Sequence, residues 1–77
     1  MGTSFILGKI LDQLQAEFQD TFQVRHVDVE EEVQFANEYN VVDIPTIIFL
    51  RDDTILDRFS GIIPRHELVQ RVEAAFS

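Results

Sequence analysis

The 77-residue chain has no cysteine and no tryptophan, three glycines, two prolines, one methionine and six basic side chains. Without cysteine there are no disulfides, no thiolate metal ligands and no thiol nucleophile, and the redox compartment stays open. The six basic residues face fourteen acidic ones, a net charge of −8 at pH 7. A field of that sign repels phosphate backbones, so nucleic acid is not an expected partner. No run approaches the ~20 apolar residues that a spanning helix needs, so no membrane partner is expected either. The early "FIL" is too short for a signal-peptide core, and a cytoplasmic location is the resulting expectation. With so little glycine there is no phosphate-cradling loop, and no ordered Ser/His/Asp set is present. Linkers, repeats and low-complexity segments are missing too.

What remains is a packed globule. Apolar residues make up 45% of the chain and the mean hydropathy is +0.01, which suits a single small domain over residues 1–77 and not a disordered tail. A domain of this length hides roughly 60–65% of the surface its unfolded chain exposes, so modest stability is expected.

Leu7, Leu11, Leu14 and Phe18, flanked by Ile6 and Ile10, recur at helical spacing and predict an amphipathic helix over about residues 4–20. Thr3 or Ser4 can cap it, while Gly8 inside it costs up to ~1 kcal/mol relative to alanine. "FQVRHVDV", residues 22–29, carries apolar groups on both faces, as in a strand covered on both sides. Glu30, Glu31 and Glu32 then complement the start of a short second helix running to about Tyr39, with Asn40 as a left-handed stop. "TIIFL", residues 46–50, is the strongest strand signal. "RDDT" makes a turn into "ILDRFS", whose alternation is imperfect, and the two runs form an antiparallel hairpin. Gly61 breaks the pattern, and Pro64 opens a last helix with the stripe Leu68, Val69, Val72 and Phe76. The element order is α-β-α-β-β-α.

Few residues suggest chemistry. His26 and His66 are the only imidazoles, and nothing in the pattern brings them together as a metal site. His26 is expected to pack beside Asp28 or reach solvent. Asp28 with Glu30–Glu32 lacks the glycine turn and spacing of a calcium loop and reads as a solvated helix start. Asp12, Glu17 and Arg65 read as surface, and Asp57 and Arg58 as decoration of an outer strand. No cofactor, metal or catalytic residue is expected.

Pro45 is the informative oddity, because it stands directly before the strongest strand. Proline is tolerated at the first residue of a strand and holds the residue before it, Ile44, in extended geometry. In this context the chain resembles the thioredoxin family. "ILDQLQAEF" is similar to that family's second helix, "VRHVDVEEE" to its third strand, and "YNVVDIPTIIFLRDD" to its cis-proline loop and fourth strand. "DRFSGIIPRHELVQRVEAAF" resembles its last strand, glycine and closing helix, and the match runs without a gap from Met1 to the C-terminus. The resemblance implies a cis Ile44–Pro45 bond that leaves main-chain groups of Ile44 exposed, able to pair with an extended peptide. It implies a partner-binding surface at Val42, Asp43, Ile44, Pro45, Thr46, Gly61 and Ile62.

It also exposes what is missing. Register places "MGTS" where the family carries Cys-x-x-Cys, with Met1 and Ser4 at the two cysteine positions. A thioether has no ionisable proton and a lone serine hydroxyl is a poor nucleophile, so disulfide exchange by the family mechanism is excluded. "MGTS" also reads as an appended start, with the native segment beginning nearer Phe5. The strand before the motif, which the family places mid-sheet, has no counterpart. The expectation is therefore a truncated thioredoxin-like α/β fold with three helices and a three-stranded mixed sheet. Either residues 22–29 close directly on residues 46–50, the first expectation for a monomer, or a slot remains for a strand from elsewhere, including a homodimer through the open edge. The functional expectation is a redox-inert module that binds a peptide or partner through the proline loop. Two alternatives stand beside it: the C-terminal part of a protein-disulfide oxidoreductase whose dithiol half is missing, and a minimal folding scaffold.

Overall fold

The computed structural model describes residues 3–77. Helix α1 spans Thr3–Glu17, α2 Val33–Glu38, strand β1 Thr46–Arg51, β2 Thr54–Ser60 and helix α3 Arg65–Phe76. Met1 and Gly2, and the side chains from which an N-cap of α1 was expected, lie outside the described residues.

Helix α1 stops at Glu17, three residues short of the expected end at about residue 20, because the chain there closes a double hydrogen-bonded cap. Gln19 N–H donates to Ala16 O at 3.0 Å and Asp20 N–H to Gln15 O at 3.0 Å, with Gln19 and Asp20 at φ 54° and 57°. Left-handed backbone of this kind satisfies orphan carbonyls at a helix end. The same cap ends α2: Asn40 (φ 55°) donates to Asn37 O at 3.2 Å and Val41 to Ala36 O at 2.8 Å. Helix α2 is only six residues long. Asp28 gathers the residues before it, its carboxylate accepting from Glu30 N–H at 2.9 Å and its carbonyl from Glu31 and Glu32 at 3.1 and 2.8 Å. The three glutamates thus occupy a turn at the entry to α2.

β1 and β2 form an antiparallel hairpin, with Arg51 opposite Thr54 and Thr46 opposite Ser60. Asp52 supplies the positive φ of 56° in the tight turn, as an aspartate tolerates. Leu50 faces Ile55 but Phe49 faces Asp57, so Leu56 is an extra residue in a bulge. That bulge explains the broken alternation of "ILDRFS": both Leu56 and Phe59 pack against the core.

The core is one cluster. Leu7, Leu11 and Leu14 of α1 meet Leu68 and Val72 of α3 and Phe49 of β1, with Leu14 and Val72 fully buried. Aromatic rings extend it, Phe22 on Phe76 at 5.2 Å, Phe76 on Phe49 at 5.4 Å and Phe49 edge-on to Phe59 at 5.8 Å. Asp57, on the Phe49 face of the hairpin, pairs with Arg71 of α3. Arg58, on the opposite face, donates to the carbonyls of Tyr39 and Asn40 at the end of α2. Helices α1 and α3 therefore cover one face of the sheet and α2 lies by the other.

The three-stranded sheet expected from sequence is corrected to two strands. Residues 23–28 belong to no ladder. Among the described residues, the main-chain groups of residues 22–27 make one hydrogen bond, from Val24 N–H to the Gln15 side-chain oxygen at 2.8 Å. The physical reason is a missing neighbour: Phe22 and Val24 are drawn into the core by α1 and α3, which places their segment across an open slot from β1. Direct closure of the two segments does not occur.

Leu14→Ala removes a fully buried side chain from the contact between α1 and α3, and is expected to cost about 2–5 kcal/mol. Urea unfolding of the two proteins checks this as a lower midpoint at unchanged slope.

Candidate functional site

The residues singled out around Pro45 come together at one end of the hairpin. The Thr46–Ser60 pairing sets residues 41–45 beside residues 61–64, and Gly61 N–H donates to Pro45 O at 2.9 Å. The Thr46 hydroxyl donates to Asp43 O and lies 3.2 Å from Ser60 Oγ, which closes the loop on itself. The Ile44–Pro45 peptide bond is cis.

Gly61 has a φ of +84° with open space where a Cβ would stand. Its requirement is conformational, since a side chain there meets no neighbour but disfavours the left-handed backbone. The turn it makes throws Ile62 outward. Val42 is 85% exposed, Ile44 67% and Ile62 54%. Ile6 at 58% and Val33 at 53% are comparably open to water elsewhere on the surface. Neither Val42 nor Ile44 has a main-chain hydrogen-bond partner among the described residues.

Next to this loop lies a groove of about 810 Å³ between residues 21–27 and β1. Leu7, Leu11 and Phe76 line it from the helical layer, and Val29, Phe35 and Ile48 also face it. Sequence reading held this slot as the second alternative.

Other candidates resolve into structural roles. His26 Nε2 lies 2.9 Å from an Asp12 carboxylate oxygen, with both side chains more than half exposed. Its partner is thus Asp12 of α1 and not Asp28. Gly8 makes room for it, because a Cβ at that position would stand 3.0 Å from the imidazole Cε1. The helix glycine that looked costly is where the histidine lies across α1, a relation no linear pattern announces. Glu17 and Arg65 form an ion pair at 2.6 Å joining the end of α1 to the start of α3. Among the described residues, no group of three His, Cys, Asp or Glu side chains can hold a metal ion. Of the two positions that register assigns to the family's cysteines, Met1 lies outside the described residues and Ser4 lies in the first turn of α1.

This arrangement can now be set against known proteins. A family model described as Thioredoxin matches residues 6–74. The chain belongs to the thioredoxin family. It is 32% identical over 72 residues to "Thioredoxin Y2, chloroplastic" of Arabidopsis thaliana, covering 94% of this chain and 43% of that protein. It is 36% identical over 67 residues to a thioredoxin of Mycoplasmoides gallisepticum, covering 87% of this chain and 66% of that one. A solved structure described as that of a malarial protein shares the fold with a TM-score of 0.80 at 21% identity, covering 99% of this chain and 86% of the other. The thioredoxin domain here therefore spans less than half the length of the plant relative and about two thirds of the Mycoplasmoides one.

Gly61→Ala is expected to destabilise the protein by about 1–2 kcal/mol through backbone conformation alone, since no residue beyond its two chain neighbours lies within 4 Å of the added methyl. A thermal melt gives the loss. Gly61→Asn should recover most of it, because asparagine accepts left-handed backbone.

Proposed function

We propose that this chain is a redox-inert thioredoxin-family module that binds an extended peptide segment of a partner protein across its proline loop. One observation carries the reading: Val42, Ile44 and Ile62 project into solvent around main-chain groups of Val42 and Ile44 that have no partner among the described residues. Peptide main chain satisfies such groups as an added strand would, while exposed aliphatic side chains contribute the apolar contact. The redox-inert part rests on chemistry. Disulfide exchange begins with thiolate attack on sulfur, and the chain has no cysteine.

A second reading is favoured by the share of the relatives that is spanned, 43% and 66% in the two cases above. In it, these residues are the peptide-recognising part of a longer disulfide oxidoreductase and need a dithiol segment to turn over. The proline loop does the same work in both readings.

Two measurements test this. Insulin reduction by the chain with dithiothreitol is expected at the rate of dithiothreitol alone; turnover above that rate refutes the redox-inert assignment. In a screen of immobilised extended peptides, the strongest binders should lose about tenfold in affinity, roughly 1.4 kcal/mol, on Val42→Asp or Ile62→Asp. Binding that ignores both substitutions removes the loop from the function.

A further inference from the structure

The proline loop is tied at both ends to the same stretch of chain, β2 and the residue after it. At the loop's far end, Gly61 N–H donates to Pro45 O at 2.9 Å and Ser60 Oγ lies 3.2 Å from Thr46 Oγ1. At its near end the tie is Arg58, whose guanidinium donates through Nη1 to Tyr39 O and through Nη2 to Asn40 O at 2.8 Å. Tyr39 and Asn40 follow α2 directly, and the loop starts at the next residue. Among the described residues no main-chain N–H donates to either of these two carbonyls. One side chain therefore satisfies two consecutive acceptors.

The chemistry of arginine suits this place. Its planar fork presents several donors in fixed geometry, which a lysine ammonium does not. Carbonyls at a helix end carry partial negative charge and favour a cation. Helix α2 supplies none, having no basic residue in its last turn. With six residues it is also far below the ~12 at which a helix holds in water unaided, so outside contacts set where it ends. Among the described residues, the only hydrogen bonds from the hairpin to residues 33–41 are the two from Arg58. The N–H groups of Val42, Asp43 and Ile44 donate to nothing there, so these residues are placed by their two ends.

We infer that Arg58 is the positioning residue of the proline loop: by fixing the exit of α2 on β2, it holds Val42 and Ile44 in the arrangement that an extended peptide meets. This rests on the reading of that loop as a peptide site. The guanidinium is taken up by the two carbonyls, so Arg58 acts through the loop and not on the peptide. Without it, binding has to order the loop as well, and affinity falls by that cost.

The test uses the isotope-labelled 77-residue chain with Arg58→Met, which removes the donors and keeps the apolar stem, and Arg58→Lys, which keeps the charge without the fork. In both variants the amide order parameters of residues 41–44 are expected to fall from the ~0.85 of rigid backbone to below ~0.6, while those of β1 and α3 hold. Affinity for the strongest-binding peptide of the screen above should fall about fivefold in both. Unchanged order parameters at residues 41–44 overturn the inference. Parent-like affinity in Arg58→Lys overturns it too, because charge and not the fork is then what the site needs. If Arg58→Met does not fold, Arg58→Lys decides by the same two measurements. A parent chain that binds no peptide in the screen overturns the loop reading and the purpose given to Arg58 with it. Failure of the Arg58 role alone looks different, since parent binding and its loss in Val42→Asp then both persist.

Discussion

The structure depends on the contact of α1 and α3 with Phe49. A two-stranded hairpin is marginal in water on its own, and a sheet this narrow needs helices to cover it. Leu7, Leu11 and Leu14 reach across to Leu68 and Val72, and Phe49 brings β1 into the same cluster. Phe76 stacks on Phe22 and meets Phe49 at a tilt, and the segment after α1 is held by its side chains and by the one bond from Val24 N–H to Gln15. Helix packing does here what ladder hydrogen bonds do in wider sheets. The sheet is left narrow and the domain still has one continuous interior.

That division of labour explains where sequence reasoning succeeded. The helical stripes and the hairpin are local patterns, and Leu7, Leu11, Leu14, Leu68 and Val72 announce their burial by spacing alone. Residues 22–29 read as a strand covered on both faces, yet residues 23–28 join no ladder. Whether such a segment pairs depends on its neighbour, which is a property of tertiary placement, and periodicity carries no information about it. The bulge at Leu56 appeared in the sequence as a flaw in alternation. It became interpretable only when the register showed two residues of β2 against one of β1.

The candidate site divides in the same way. Pro45, Gly61 and the exposed aliphatics were found because proline and glycine at those places demand a backbone explanation, and family resemblance gave it a direction. The pairing of His26 with Asp12 over Gly8 was illegible. It joins residues fourteen apart through a space that only the folded helix creates. The groove was visible as an arithmetic gap, a strand that the resemblance calls for and the chain does not supply. Its lining came from the fold.

Gln15 has a consequence of its own. Its side-chain oxygen accepts from Val24 N–H while its amide nitrogen donates to Asp20, so a single carboxamide imitates the peptide unit of an adjoining strand. The far wall is thereby pinned to the helical layer and not to the sheet. Mechanically, that makes the wall a bracket with one fixed side and one free side. The gap across from β1 is thus bounded on that side by a segment whose one main-chain bond among the described residues runs to α1.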